Sequence, residues 1–185
     1  MNQPGTKELD YLARIARREA GRLKILYVGP YFKPTRRYGD AVEPSYRLCL
    51  SLARIGREVR VLTTNADGLD RVLPVSTRRE HATTAGFRVR YCQRLMRHSV
   101  SPGLLHYLFQ YMKWADIVHL TAVYLFTTLS TMAACRVLRK QFVWSPRGAL
   151  QSWCGSRRNA ARYVWELGCR IDMPSSTVLH VTSEH

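Results

Sequence analysis

The sequence predicts a doubly wound α/β fold, a parallel sheet of Rossmann-like type, from three observations. Short apolar runs recur along the chain, segments of helical periodicity alternate with them, and glycine, proline or polar turns separate the two. Strands alternating with helices favour a parallel sheet covered on both faces, because each crossover helix must bury its apolar stripe against the sheet. In such sheets ligands bind outside the carboxyl ends of the strands.

Each element has its own signal. Leu23-Lys-Ile-Leu-Tyr-Val-Gly29 is an apolar run closed by glycine, a first strand followed by a loop punctuated by Pro30, Pro34 and Gly39. Asp40 is placed to cap a helix reaching about Ile55, with Val42, Tyr46, Cys49, Leu50 and Ala53 inward and Gly56 as its stop. Glu58–Thr64 is the second strand, and Asn65–Ala85 is expected to be one long polar loop. Gly86–Cys92 alternates as a third strand, Leu104–Trp114 reads as a helix, and Asp116–Leu120 is a fourth strand. Leu125–Arg139 is a helix, Gln141–Ser145 a fifth strand stopped by Pro146, Arg157–Arg170 a basic helix, and Thr177–Thr182 a buried sixth strand. Residues 1–22 stand apart as a basic amphipathic leader helix with Leu9, Leu12, Ala13, Ala16 and Ala20 on one face, so the main domain is expected over 23–185.

Composition narrows the classes. At 185 residues with 46% hydrophobic residues the chain suits one domain with a full core. It holds no apolar run of membrane-spanning length, and its start lacks a secretory signal, so a cytoplasmic location is expected. The cysteines, Cys49, Cys92, Cys135, Cys154 and Cys169, form no C-x-x-C pair, which points to buried reduced thiols and leaves metal binding without support. A formal charge of +16 favours an anionic partner: a membrane surface, a phosphorylated substrate or nucleic acid. The arginines are scattered, which disfavours nucleic acid.

The strand-end loops hold the candidate site residues. Gly29 and Gly39 flank a loop that leads into a helix N-terminus, where free amides suit a phosphate or a sugar hydroxyl; a turn-making role explains the same glycines. The spacing is neither G-x-G-x-x-G nor a Walker loop. His119 lies at the end of the fourth strand, where it either hydrogen-bonds a sugar and moves a proton or is a satisfied strand-end histidine. Ser145-Pro-Arg-Gly148 follows the fifth strand and fixes Arg147 over the sheet end, either for oxygen anions or as a bridge between loops. Asp116 lies at the opposite end of its strand.

Together these segments resemble the N-terminal domain of a two-domain (GT-B) glycosyltransferase of the group 1, or family 4, class. The resemblance rests on Leu23-Lys-Ile-Leu-Tyr-Val-Gly-Pro-Tyr-Phe-Lys-Pro34, Tyr38-Gly-Asp40, Leu48–Thr64, Asp116-Ile-Val-His-Leu120, Ser145-Pro-Arg-Gly-Ala-Leu150 and His180-Val-Thr-Ser-Glu184. It implies transfer of a sugar from a nucleotide-sugar donor to a glycan or lipid-linked acceptor with retention, in cell-surface polysaccharide or glycolipid assembly. It also implies no cofactor and no metal. His119 would lie near the transferred sugar as the catalytic candidate. Gly39 would lie near the donor phosphates, and Arg147 and Glu184 would line the cleft. Asp40, Thr121, Ser145 and Gly148 complete the substrate-binding set. Two positions depart from the family pattern: Asp40 replaces a second glycine, and Thr121 stands where a second histidine is frequent.

The C-terminal donor-binding half that the resemblance calls for has no counterpart in this sequence, so the chain alone is expected to be inactive or nearly so. Three alternatives remain open at this level: a non-catalytic partner of a separate donor-binding subunit, a truncated fragment, and a basic nucleic-acid-binding module. Docking at the inner face of an anionic membrane is a further expectation from the charge.

Overall fold

β1 (Lys24–Val28) runs through the middle of a seven-stranded sheet and is buried along almost its whole length. The computed structural model describes residues 23–39, 42–96, 99–121, 123–146 and 160–180. Around β1 lie β2 (Glu58–Thr64), β3 (Glu80–Ala82), β4 (Arg88–Cys92), β5 (Ile117–Thr121), β6 (Gln141–Ser145) and β7 (Thr177–Leu179), in the order β3-β4-β2-β1-β5-β6-β7. All neighbours are parallel except β3 and β4. The fold is thus the predicted α/β class with a Rossmann-like, doubly wound arrangement.

Four helices are described: α1 (Glu43–Arg54), α2 (Pro102–Trp114), α3 (Phe126–Val137) and α4 (Ala160–Asp172). Strand residues alternate between two cores, as the pleat requires. Leu26, Val28, Leu62, Val118, Leu120, Phe142 and Trp144 pack in a core with Leu104, Leu108 and Met112 of α2, Met132 and Cys135 of α3, and Cys169 of α4. Tyr27, Val59, Val61, Val89 and Tyr91 join Cys49 of α1 and the loop residues Phe32, Leu73 and Phe87. Cys49, Cys92, Cys135 and Cys169 are buried, and burial pushes the Cys92 and Cys135 thiols up to about 12. Among the described residues no helix is long and apolar enough to cross a membrane.

The helix ends show where local chemistry acted. Ser101 caps α2, its hydroxyl accepting from the Leu104 amide at 3.3 Å with Pro102 in the first turn. α1 stops in a Schellman motif: Gly56 has φ 82, its amide donates to Ala53 O and that of Arg57 to Leu52 O, each at 3.0 Å. α3 ends in the same pattern, with Arg139 at φ 50 in the glycine position.

Several expectations are corrected. The stretch Asn65–Ala85 is not one loop: Glu80–Ala82 pairs antiparallel with β4, and Ala66 bridges Val72. α1 begins at Glu43 with Val42 in the cap position and no side-chain cap, and Ser45 is buried while Tyr46, Leu50 and Ala53 are half-buried. The α3 helix ends at Val137 rather than Arg139. β7 is not a buried strand. It is three residues long at the sheet edge, with Val178 59% and Leu179 54% exposed. The leader 1–22 lies outside the described residues.

Candidate functional site

The strand order reverses at β1. From β1 the chain builds outward through β2 and β4, then returns to the other side of β1 with β5 and continues to β6 and β7. The loops leaving β1 and β5 therefore part in opposite directions and open a crevice between them at the carboxyl end of the sheet. Asp116 is at the far end, where it exchanges hydrogen bonds with Lys24: its Oδ2 accepts from the Lys24 amide, and its own amide donates to Lys24 O, both at 2.9 Å.

A cavity of about 320 Å³ occupies the crevice. Tyr31 from the β1 loop and Leu125 from the β5 loop both line it, with Tyr38, Gly68, Leu69, Arg94 and Ser99 completing the lining. The Tyr31 and Tyr38 rings stack with centroids 3.9 Å apart and planes 10° from parallel. The Tyr38 hydroxyl donates to Gly68 O at 2.9 Å, and Arg94 Nη1 donates to the same carbonyl at 2.7 Å. Burial raises the Tyr38 phenol above its ordinary value although the nearby Arg94 charge opposes it, so the hydroxyl stays a donor at neutral pH.

The walls are tied down by buried polar contacts. Thr64 donates to Pro30 O at 2.6 Å and receives the Ala66 amide at 3.2 Å. Thr35 donates to Asp67 at 2.6 Å, and Arg37 lies 3.7 Å from the same carboxylate. Ser99 and Tyr124 hold φ of 58° and 59°, a sparsely populated backbone region for residues with side chains, and both belong to loops at this end of the sheet. Gly39, at φ 53 beside Tyr38, needs its glycine for backbone conformation, since a Cβ there would meet nothing within 4 Å. At Gly29 the constraint is packing, because a Cβ would come 3.1 Å from the Tyr27 ring.

His119 lies in β5, two residues before its end, and is 6% exposed. Its Nε2 is 2.8 Å from Ser145 Oγ, and Ser145 Oγ is 2.8 Å from His180 Nδ1. The Tyr27 and His180 rings flank His119 edge-on at 5.6 and 5.8 Å, and the Tyr27 hydroxyl donates to Ser45 of α1 at 2.6 Å. Thr121 pairs with Ser145 in the β5–β6 register, and its buried hydroxyl has no hydrogen-bond partner among the described residues. Among the described residues no three His, Cys, Asp or Glu side chains are grouped as for a metal ion.

The structure thus gathers His119, Thr121 and Ser145 at the ends of β5 and β6 and sets Gly39 beside the cavity wall. Asp40, Arg147, Gly148 and Glu184 lie outside the described residues. Sequence reasoning did not single out Tyr31, Tyr38, Arg94 or His180 as site residues. Two tyrosines within a glycine- and proline-rich strand-end loop were the available sign of an aromatic wall. For His180 the sign was a histidine just beyond the last strand. A scan against protein-family models and a search of the curated proteins both find no match to this chain.

Proposed function

We propose that this domain is the acceptor-side half of a nucleotide-sugar-dependent, retaining glycosyltransferase, acting on a glycan or lipid-linked acceptor in cell-surface polysaccharide assembly. The observation that carries the reading is the crevice at the switch point with its stacked tyrosine wall. An aromatic face suits the C–H face of a pyranose, and Arg94 adds a charged donor for hydroxyl or phosphate oxygens. In this reading His119, held by Ser145 and flanked by Tyr27, presents a fixed polar edge toward the transferred sugar, and Thr121 offers a spare hydroxyl. A donor-binding half supplies the nucleotide and stabilises the leaving diphosphate. The net charge of +16 then favours docking on an anionic membrane that carries the acceptor.

Saturation-transfer NMR on the purified chain tests this. Oligosaccharides and a lipid-linked sugar headgroup are expected to receive magnetisation, and Tyr38→Ala is expected to weaken the transfer. Duplex and single-stranded DNA serve as charge controls. Saccharides that stay silent, or transfer indifferent to Tyr38→Ala, would overturn the reading.

One observation favours a second reading, in which the donor half resides on a separate chain. α4 exposes Tyr163, Val164, Leu167 and Ile171, whose spacing sets them along one side of the helix. Under this reading Leu167→Glu abolishes association with a donor-binding chain and leaves saccharide binding intact. Association that survives the substitution rules it out.

A further inference from the structure

The sheet face that α2 covers changes character toward the β3 edge. α2 packs over β1 and β2, where Leu26, Val28 and Leu62 face it. Further out the same face carries Arg60 of β2, Arg88 and Arg90 of β4 and Glu80 of β3. Register brings them together, Arg60 opposite Arg88 and Glu80 opposite Arg90. None of the four lines the crevice cavity.

α2 holds these arginines in place. The Arg60 guanidinium carbon is 4.2 Å from the centroid of the Trp114 ring and 5.5 Å from that of Tyr111, and the Arg90 carbon is 4.4 Å from that of Tyr107. Positions 107, 111 and 114 recur at helical spacing, so the three rings form one stripe along α2. Arg90 Nε donates to the Tyr111 hydroxyl at 3.4 Å, that hydroxyl donates to Glu80, and Arg88 Nη1 is 3.5 Å from the same carboxylate. A ring against the face of a guanidinium leaves its in-plane N–H groups for oxygen acceptors. Acceptors are short here: Arg90 Nη1 is buried with no partner among the described residues. Arg60, Arg88 and Arg90 all act on the one Glu80 carboxylate, so the cluster carries a surplus of two positive charges.

We infer that Arg60, Arg88 and Arg90 form a binding site for a phosphate monoester, presented by a soluble metabolite or by a lipid headgroup. A phosphate monoester carries about −1.5 to −2 charges at neutral pH, which matches the surplus, and its oxygens fit the planar guanidinium fork. The α2 rings fix the forks in advance, so less side-chain entropy is lost on binding. Glu80 stays bonded to Tyr111 and keeps the arginines from spreading apart.

Titration of the full chain with inorganic phosphate at constant ionic strength tests the site, read from the arginine Nε–Hε signals in ¹⁵N–¹H NMR. The Arg60 and Arg90 signals are expected to shift and saturate, while sodium chloride leaves them in place. Arg60→Gln and Arg90→Gln should each weaken binding about tenfold. Arg139→Gln removes the same charge from an exposed position at the end of α3 and should change it by less than about twofold. Arg88, whose side chain is 61% exposed, carries the test as Arg88→Gln if the other variants do not fold. Phosphatidylcholine vesicles containing phosphatidic acid separate the sources. Retention of the chain that Arg88→Gln loses assigns the site to a lipid headgroup, and phosphate binding without retention assigns it to a soluble ligand. Shifts that do not saturate, binding indifferent to these substitutions, or a response to single-stranded DNA and none to phosphate overturns the inference. These signals report the site whether or not the crevice takes a glycan.

Discussion

Tyr38 lies face to face with Tyr31, the ring centroids 3.9 Å apart, and its hydroxyl shares the Gly68 carbonyl with Arg94. Stack and hydrogen bond can therefore be separated. Tyr38→Phe keeps the ring, and Arg94 keeps Gly68 satisfied, so a loss of under about 1 kcal/mol is expected in urea unfolding. Tyr38→Ala removes the wall. It is expected to cost about 1 kcal/mol and to weaken saccharide binding about three- to tenfold, measured by NMR titration. Equal binding by Tyr38→Ala and the parent chain would detach the stack from ligand recognition.

Thr121 and Ser145 are register partners, yet among the described residues the Ser145 hydroxyl has two side-chain partners and the Thr121 hydroxyl none. A buried hydroxyl without a partner costs about 1–3 kcal/mol of desolvation. Thr121→Val keeps the shape and is expected to stabilise the domain by about 1 kcal/mol. If the hydroxyl serves the ligand, the same variant binds saccharide more weakly. A stability loss on denaturant unfolding would mean that the hydroxyl is bonded in the native state.

Glu80 fixes the antiparallel edge strand to α2. It accepts from the Tyr111 hydroxyl and lies 3.5 Å from Arg88. Burial pushes its carboxyl up, but the Tyr111 hydrogen bond and the charges of Arg60, Arg90 and Arg88 outweigh this and hold it below its ordinary value. A folded value below the unfolded one adds stability above the unfolded pKa, and that stability fades as pH falls through the folded value. The gap in urea midpoint between the parent and Glu80→Gln should therefore narrow on acidification from about pH 6 to about pH 3. A gap independent of pH would deny the carboxylate this role.

Arg139 occupies, at φ 50, the position that Gly56 fills at the end of α1. The left-handed conformation costs a residue with a Cβ about 1 kcal/mol. Arg139→Gly is expected to stabilise the domain by about 0.5–1 kcal/mol in thermal or urea unfolding, and Gly56→Ala to destabilise it by a similar amount. No gain in Arg139→Gly would show that the arginine side chain makes up the strain.

These helix ends also mark how far the sequence could be read. The end of α1 is legible because Gly56 announces a Schellman motif. The sequence pattern places the end of α3 two residues late, at Arg139, because arginine gives no such signal. Glu80–Ala82 gives no strand signal because Glu80 and His81 are polar and Ala82 is a poor strand former, and its pairing depends on β4 lying alongside. Val178 and Leu179 are apolar and so suggest burial for β7; that it lies at the sheet edge is a matter of strand order.

The sequence by itself determined the order of six of the seven strands and of the four described helices, and the parallel class of the sheet. Those follow from hydrophobic periodicity and turn chemistry, which act over a few residues. The tertiary structure decided which side chains meet. His119 reaches Ser145 across 26 positions and Ser145 reaches His180 across 35, and both contacts exist because β5, β6 and β7 are neighbours in register. The cavity that the stacked tyrosines wall is lined from the loops after β1, β2, β4 and β5, a meeting that local propensity does not encode.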